Sequence, residues 1–254
     1  MSFQVFLDSD STIIESADTI ICGFHGLGEV GWIACRHLID TLDLERCGVV
    51  QSTSAAPPFI SLEGENLCLP FELYGRNKGP IVFLSRLQPY RHAQVEFSLE
   101  LANWINDNFQ NGFFIGGVDA RLRNSESDLR YIPTRALLAE KGDSKLNIVF
   151  QEIRDHVLEP GLFVTGPLAV VMGHLDLLKF PGLGILAYAE RERPDPIGAA
   201  NAIKKVGEIL DTEISVEELQ KNAEEVQEQI QQHLLAAQSA EPERTDEKRP
   251  PIYT

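Results

Sequence analysis

The run Ile20-Ile21-Cys22-Gly23-Phe24-His25-Gly26-Leu27-Gly28-Glu29-Val30-Gly31 places Gly26, Gly28 and Gly31 in G-x-G-x-x-G register. Between a β-type run and a helical pattern, that spacing is where a dinucleotide's pyrophosphate meets a helix N-terminus. Two features oppose that chemistry. Glu29 sets a carboxylate beside the helix N-terminus, where it competes for the same donors and repels a pyrophosphate. The next strand ends in Val50-Gln51-Ser52, without the acid that would take the ribose hydroxyls. A tight turn with close strand–helix packing selects glycine equally well.

Other reactive side chains are scattered. The histidines are His25, His37, His92, His156, His174 and His233, and no two have the i, i+4 spacing of a helical metal pair. His25, inside the glycine loop, is the one that could do chemistry, and a structural role is the simpler reading. Arg121, Arg123 and Arg130 flank Asn124-Ser-Glu-Ser-Asp128 after Gly116-Gly117 and could hold an anion at a strand end; local ion pairs in a solvated loop are the simpler reading. Cys22, Cys35, Cys47 and Cys68 form no close ligand pair and mostly sit in apolar runs, as buried free thiols do. Neither G-x-S-x-G nor a GK[ST] phosphate loop occurs. These residues nominate no catalytic residue, no metal and no cofactor.

The C-terminus differs. Residues 239–251 carry no large apolar side chain, and the chain then finishes Ile252-Tyr253-Thr254. The charged segment cannot repay its ordering entropy by burial, so residues 239–254 are read as a flexible tail. Its end suits docking. Ile252 could fill a small pocket, Tyr253 offers a rigid apolar body with a polar tip, and the terminal carboxylate of Thr254 could pair with a partner lysine; a frayed end is the simpler alternative. Pro250-Pro251 pre-sets an extended entry, and the 13 residues before Ile252 reach about 20 Å as a coil.

The elements that must position these features alternate. Strand-like runs at Phe3–Leu7, Thr19–Phe24, Cys47–Gln51, Leu67–Leu73, Ile81–Ser85, Phe113–Gly116, Asn147–Phe150 and Ile185–Ala189 interleave with helical patterns at Val30–Leu42, Gln94–Phe109, Pro167–Leu178, Pro196–Leu210 and Ser215–Gln238. The alternation predicts an α/β fold with a mixed, largely parallel sheet covered by helices. No linker interrupts it, so residues 1–238 are read as one domain that includes the C-terminal helix 215–238. Asp195-Pro196 supplies an N-cap and an N1 proline, and Ser215-Val-Glu-Glu218 a capping box with Ile214 and Leu219 as its staple. Beyond it, Leu219, Ala223, Val226, Ile230, His233 and Ala237 recur at spacings of 4 and 3. That seam suits docking on the chain's own core or against another subunit.

Over 254 residues the chain carries 22 Lys+Arg against 38 Asp+Glu, a net charge of −16, with 43% hydrophobic residues. The apolar fraction excludes general disorder, and the acidic excess opposes nucleic-acid or anionic-membrane partners. No apolar run is long enough to span a bilayer and no signal peptide is legible, so the expected location is cytoplasmic.

The run Gly23-Phe-His-Gly-Leu-Gly-Glu-Val-Gly-Trp-Ile-Ala34 resembles the opening segment of the proteasome assembly chaperone family, in its archaeal branch. Thr165-Gly166-Pro167, Pro181-Gly-Leu-Gly-Ile-Leu-Ala187 and Pro194-Asp-Pro-Ile-Gly-Ala-Ala200 are similar to its later landmarks, and the resemblance covers roughly residues 1–235. It implies a three-layer α/β sandwich similar to nucleoside phosphorylases and a homo-oligomer. It also implies a non-enzymatic chaperone or adaptor for the α-ring of the proteasome core particle. Some archaeal members end in a hydrophobic–Tyr–any tail that enters pockets between α-subunits, and Ile252, Tyr253 and Thr254 match that pattern position for position. The alternative is a small-molecule enzyme of nucleoside phosphorylase or ligase type built on the glycine loop at 23–31, with His25, Arg121 or Arg123 converging on a pocket.

Overall fold

The structure, a computed structural model, describes residues 3–8, 12–123, 127–139, 153–191, 193–217, 219 and 232. Among the described residues the strands are β1 (Phe3–Leu7), β2 (Thr19–Gly23), β3 (Glu45–Ser52), β4 (Ser61–Glu63), β5 (Asn66–Cys68), β6 (Phe71–Gly75), β7 (Ile81–Ser85), β8 (Asn111–Asp119), β9 (Leu129–Pro133) and β10 (Gly182–Ala189). The helices are α1 (Thr12–Glu15), α2 (Val30–Thr41), α3 (Gln94–Asn108), α4 (Arg135–Ala139), α5 (Pro167–Leu177) and α6 (Pro196–Leu210). Eight strands form one sheet in the order β1-β3-β6-β7-β2-β8-β10-β9, and β4 and β5 form a separate hairpin. The central strands β7, β2, β8 and β10 run parallel, flanked by antiparallel neighbours on both sides.

Strand alternation builds a core on each face. Ile21, Val82, Leu84, Phe113, Ile115, Ile185 and Ala187 point to the side covered by α2 and α6. Ile20, Cys22, Phe83, Phe114, Leu186 and Tyr188 point to the side covered by α3 and α5. The result is the three-layer sandwich expected when parallel strands must be buried on both faces.

Several sequence expectations differ in detail. The run read as Leu67–Leu73 contains two strands, β5 and β6, because Leu69-Pro70 breaks the ladder between them. β4, α1 and α4 are too short for a periodicity reading to find, and β9 is hidden by the buried Arg130 within it. Asn147–Phe150 lies outside the described residues. Asp195 caps α6 as its sequence suggests, its Oδ1 accepting from the Gly198 N–H at 2.8 Å. Ile214, Val216 and Leu219 are buried in the core beneath α2 and α6, which anchors the start of the 215–238 segment on its own subunit; most of its remainder is outside the described residues.

The glycines of the loop are set by contact. A Cβ on Gly23 would lie 2.1 Å from the Gly31 carbonyl oxygen, and one on Gly31 would lie 2.5 Å from the Ile115 carbonyl oxygen. The α2 backbone therefore crosses β2 and β8 with no side chain between them. Gly23→Ala is predicted to cost about 3 kcal/mol or more in urea unfolding, because backbone rather than a side chain must give way. Gly26→Ala, whose Cβ would meet nothing within 4 Å, is predicted to stay within about 0.5 kcal/mol of the parent.

Candidate functional site

The sheet reverses direction at its centre. β2 leads through α2 to β3 on one side, while β8 leads to β9 and β10 on the other. At such a switch point the C-terminal strand ends separate, and open α/β sheets place their ligand crevices there. A cavity of about 330 Å³ occupies this position, lined on one side by Phe24–Leu27 and on the other by Gly116–Asp119.

The glycine loop forms one wall. Gly28 and Glu29 both adopt left-handed backbone, at φ 62° and 51°. A Cβ on Gly28 would lie 2.5 Å from the Ala189 Cβ, and the Gly28 carbonyl accepts from the Asp195 N–H at 2.8 Å. The space beside Gly28 and Gly31 that a pyrophosphate would enter is thus filled by β10, the α6 cap and β8. Glu29 does not compete for the helix N-terminal donors as its position suggested. Its carboxylate makes no cap hydrogen bond and turns back to His25, Oε2 lying 2.5 Å from Nδ1.

His25 is buried, stacks on Trp32 at 5.7 Å between ring centroids, and has its Nε2 2.9 Å from the Arg86 carbonyl oxygen. Both ring nitrogens are engaged by oxygens of the chain itself, Nδ1 by the Glu29 carboxylate and Nε2 by the Arg86 carbonyl. The His25 carbonyl accepts from Gln88 Nε2 at 2.7 Å, which closes the loop onto the segment after β7.

The three arginines take separate carboxylate partners, although Arg123 and Arg130 share the Tyr188 ring. Arg121 wraps Asp119, donating from its backbone N–H at 3.0 Å and from Nη2 at 2.6 Å. Arg123 pairs with Asp128 at 2.6 Å. Arg130 departs from a solvated loop residue: it is buried on β9, 2.7 Å from Glu159, with its guanidinium over the Tyr188 ring. Their partners lie on different strands and turns. Among the described residues no group of three or more His, Cys, Asp or Glu could hold a metal ion, and no helix is long and apolar enough to cross a membrane. All four cysteines are buried and free, and burial pushes the Cys47 thiol up to about 12.

Sequence reading missed a charged cluster directly beneath the loop. Arg86 and Glu72 are both fully buried, joined Nε to Oε2 at 2.6 Å. Glu63 of the β4–β5 hairpin chelates the same guanidinium and also meets Arg36 of α2 at 3.0 Å. The Tyr74 hydroxyl donates to Glu72 at 3.0 Å, and burial together with the Glu72 charge pushes the phenol up to about 12. The signal was Glu72 and Arg86 standing at apolar strand ends, Phe71-Glu-Leu-Tyr-Gly75 and Ile81-Val-Phe-Leu-Ser-Arg86. The cluster ties the hairpin, α2 and β7 together, and through the Arg86 carbonyl it positions His25. Ile252, Tyr253 and Thr254 lie outside the described residues.

The chain thus combines a doubly covered α/β sheet with a packed glycine joint and no assembled catalytic group among the described residues. The profile of the PAC2 family matches residues 20–234, and the chain belongs to that family. Among solved structures it is similar to PbaA of Pyrococcus furiosus, an archaeal homolog of proteasome-assembly chaperone, with 22% identity and a TM-score of 0.75 over 94% of this chain and 99% of that one. PbaB of the same organism, an archaeal proteasome activator, aligns at 17% identity and a TM-score of 0.69 over 91% and 98% of the two chains. Rv2125 of Mycobacterium tuberculosis, a proteasome-assembly chaperone homologue, gives 14% and 0.55 over 84% and 94%. At these identities the likeness is one of fold. No curated protein sequence matches the chain.

Two predictions come from these contacts. Glu72→Ala leaves Arg86 with a buried, partly uncompensated charge and is predicted to cost about 3–5 kcal/mol in urea unfolding. The Arg121 hydrogen bonds hold the Asp119 carboxyl down at about 2. A lowered folded value means the Asp119–Arg121 contact contributes stability above the ordinary 3.8 and loses it as pH falls through that value toward 2. An NMR titration of Arg121→Ala is predicted to return the Asp119 carboxyl toward 3.8.

Proposed function

We propose that this protein is a non-enzymatic, homo-oligomeric assembly chaperone or adaptor of the cytoplasm that docks on the α-ring of the proteasome core particle. The observation that carries the proposal is the ending Ile252-Tyr253-Thr254 on a PAC2-family body. The ending has the hydrophobic–Tyr–any pattern of docking tails, and the body shares the fold of proteins described as a proteasome-assembly chaperone homolog and a proteasome activator. Residues 1–238 act as the platform and 239–254 as the tether. A single tripeptide contact is weak. Several tails displayed by one oligomer raise the effective concentration of each at the ring, so the set binds far more tightly than one tail. The terminal carboxylate of Thr254 would meet a lysine, Tyr253 would lie along the pocket wall, and Ile252 would fill its base.

The engagement of both His25 nitrogens and the pairing of Arg121, Arg123 and Arg130 each with its own carboxylate favour this reading over the phosphorylase- or ligase-type alternative. A titration against isolated proteasome α-rings tests it. The full chain is predicted to bind, while a chain ending at Pro251 and the Tyr253→Ala variant each lose roughly tenfold or more in affinity. Equal binding by all three would place the contact on the body. Light scattering that finds a monomer at micromolar concentration would remove the multivalent mechanism.

A further inference from the structure

The two edges of the eight-stranded sheet are finished differently. β9, at one end, carries Arg130 and closes on Pro133, and a later segment covers its outer side: Val157 bridges Tyr131, and the Leu158 N–H donates to the Tyr131 carbonyl at 2.9 Å. Charge, proline and a covering loop are the devices by which sheet edges avoid pairing with another chain. β1, at the other end, has none of them among the described residues. Its sequence, Phe3-Gln-Val-Phe-Leu7, holds no charged residue and no proline, in a chain of net charge −16. Its one ladder is with β3, in unbroken register.

That ladder settles which backbone groups of β1 face outward. The Asp8 N–H donates to the Cys47 carbonyl at 2.9 Å, one step beyond the pair Leu7–Gly48, so Asp8 and Cys47 form a hydrogen-bonded pair. Hydrogen-bonded pairs alternate along an antiparallel ladder. Phe6 and Gln4 therefore turn their N–H and C=O toward β3, and Phe3, Val5 and Leu7 turn theirs away. The Phe6 carbonyl agrees: its oxygen lies 2.9 Å from where a Cβ on Gly48 would stand, so it points at β3. Among the described residues no hydrogen bond reaches the outer side of β1. Its side chains are open as well, with Phe6 51% and Leu7 42% exposed.

We propose that β1 is a self-complementary interface: a second copy of this chain lays its own β1 antiparallel alongside, across a two-fold axis at Val5, and joins the two sheets into one. The outward groups set the register. Val5 faces Val5 of the partner subunit and Phe3 faces the partner's Leu7, so every outward N–H and C=O of Phe3, Val5 and Leu7 finds its complement. Between them Gln4 faces the partner's Phe6, which covers the exposed ring. Two observations select a second copy over another protein. The outward residues are disposed evenly about Val5 and are all apolar, so the strand fits its own image, as an isologous contact requires. The join also brings no like charges together, which two bodies of −16 each must avoid, and Asp8 at its end is already neutralised by Arg46 at 3.3 Å. The inference rests on the homo-oligomer of the proposed function and names one of its contacts; it is independent of docking by the tail.

The test uses the full chain. Val5→Pro removes a donor that β3 does not use, and an edge strand tolerates proline where its N–H faces out. Light scattering at micromolar concentration is expected to find the parent as an oligomer and Val5→Pro at half its mass, with the circular dichroism of the folded chain retained. Cysteine pairing reads the register. Gln4 and the partner's Phe6 form a non-hydrogen-bonded pair, with Cα atoms about 4.5 Å apart, within disulfide reach. Gln4 and the partner's Gln4 lie diagonally at about 7–8 Å, beyond it, as do the two Phe6 residues. Mild oxidation of a mixture of Gln4→Cys and Phe6→Cys chains is expected to give the mixed covalent dimer as the main product. Either variant alone, and the parent with its four buried cysteines, are expected to give none. If Val5→Pro fails to fold, the cysteine mixture alone decides. Unchanged mass in a folded Val5→Pro, or no excess of the mixed dimer over the single variants, would overturn this interface and leave the homo-oligomer standing. A monomeric parent chain would overturn both.

Discussion

The close crossing of α2 over β2 and β8 is the constraint on which the rest of this fold depends. At Gly23 and Gly31 two backbones meet with no Cβ to separate them, and Gly117 meets the Leu27 carbonyl in the same way. That approach brings α2 flat onto the sheet, so Val30, Ile33, Ala34 and Leu38 reach the core that α6 shares. It also forces the intervening loop into two consecutive left-handed residues, Gly28 and Glu29. The left-handed turn at Glu29 lets its carboxylate swing back to His25. The loop's rigidity is therefore a consequence of helix packing, and its phosphate-site spacing arises from a steric requirement.

Charge holds the same joint from the other side. Arg86 emerges from β7 with its guanidinium buried among Glu72, Glu63 and Tyr74, and its carbonyl faces His25. Burying ions is costly unless each finds partners, and here the partners come from β6, the β4–β5 hairpin and α2. The hairpin is thereby pinned to the body while Ile60, Leu62 and Leu67 remain exposed along it.

Much of the fold was legible because burial leaves a periodic trace. β2, β7, β8 and β10 read as apolar runs since both faces of a central parallel strand are covered, and Asp195-Pro196 announced α6 through capping chemistry. β9 was not legible: Leu129-Arg-Tyr-Ile-Pro133 contains a buried arginine whose partner, Glu159, is remote in sequence. The site was harder still. The position of Glu29 suggested a carboxylate at the helix N-terminal donors, but its pairing with His25 instead depends on a left-handed backbone that residue types alone do not signal. The cluster around Arg86 joins residues 36, 63, 72, 74 and 86, a grouping that only tertiary structure creates.

Fold and tail play separate parts in the proposed function: the first sets geometry, the second carries recognition. Their union is tested most directly by photocross-linking. A benzoylphenylalanine in place of Pro251 leaves Ile252, Tyr253 and Thr254 intact beside a reactive group. Irradiation with assembled proteasome α-rings should yield adducts to the α-subunits, competed away by a free peptide ending in Ile-Tyr-Thr. Adducts confined to the protein's own chain, or α-subunit adducts indifferent to the peptide, would contradict docking through the C-terminus.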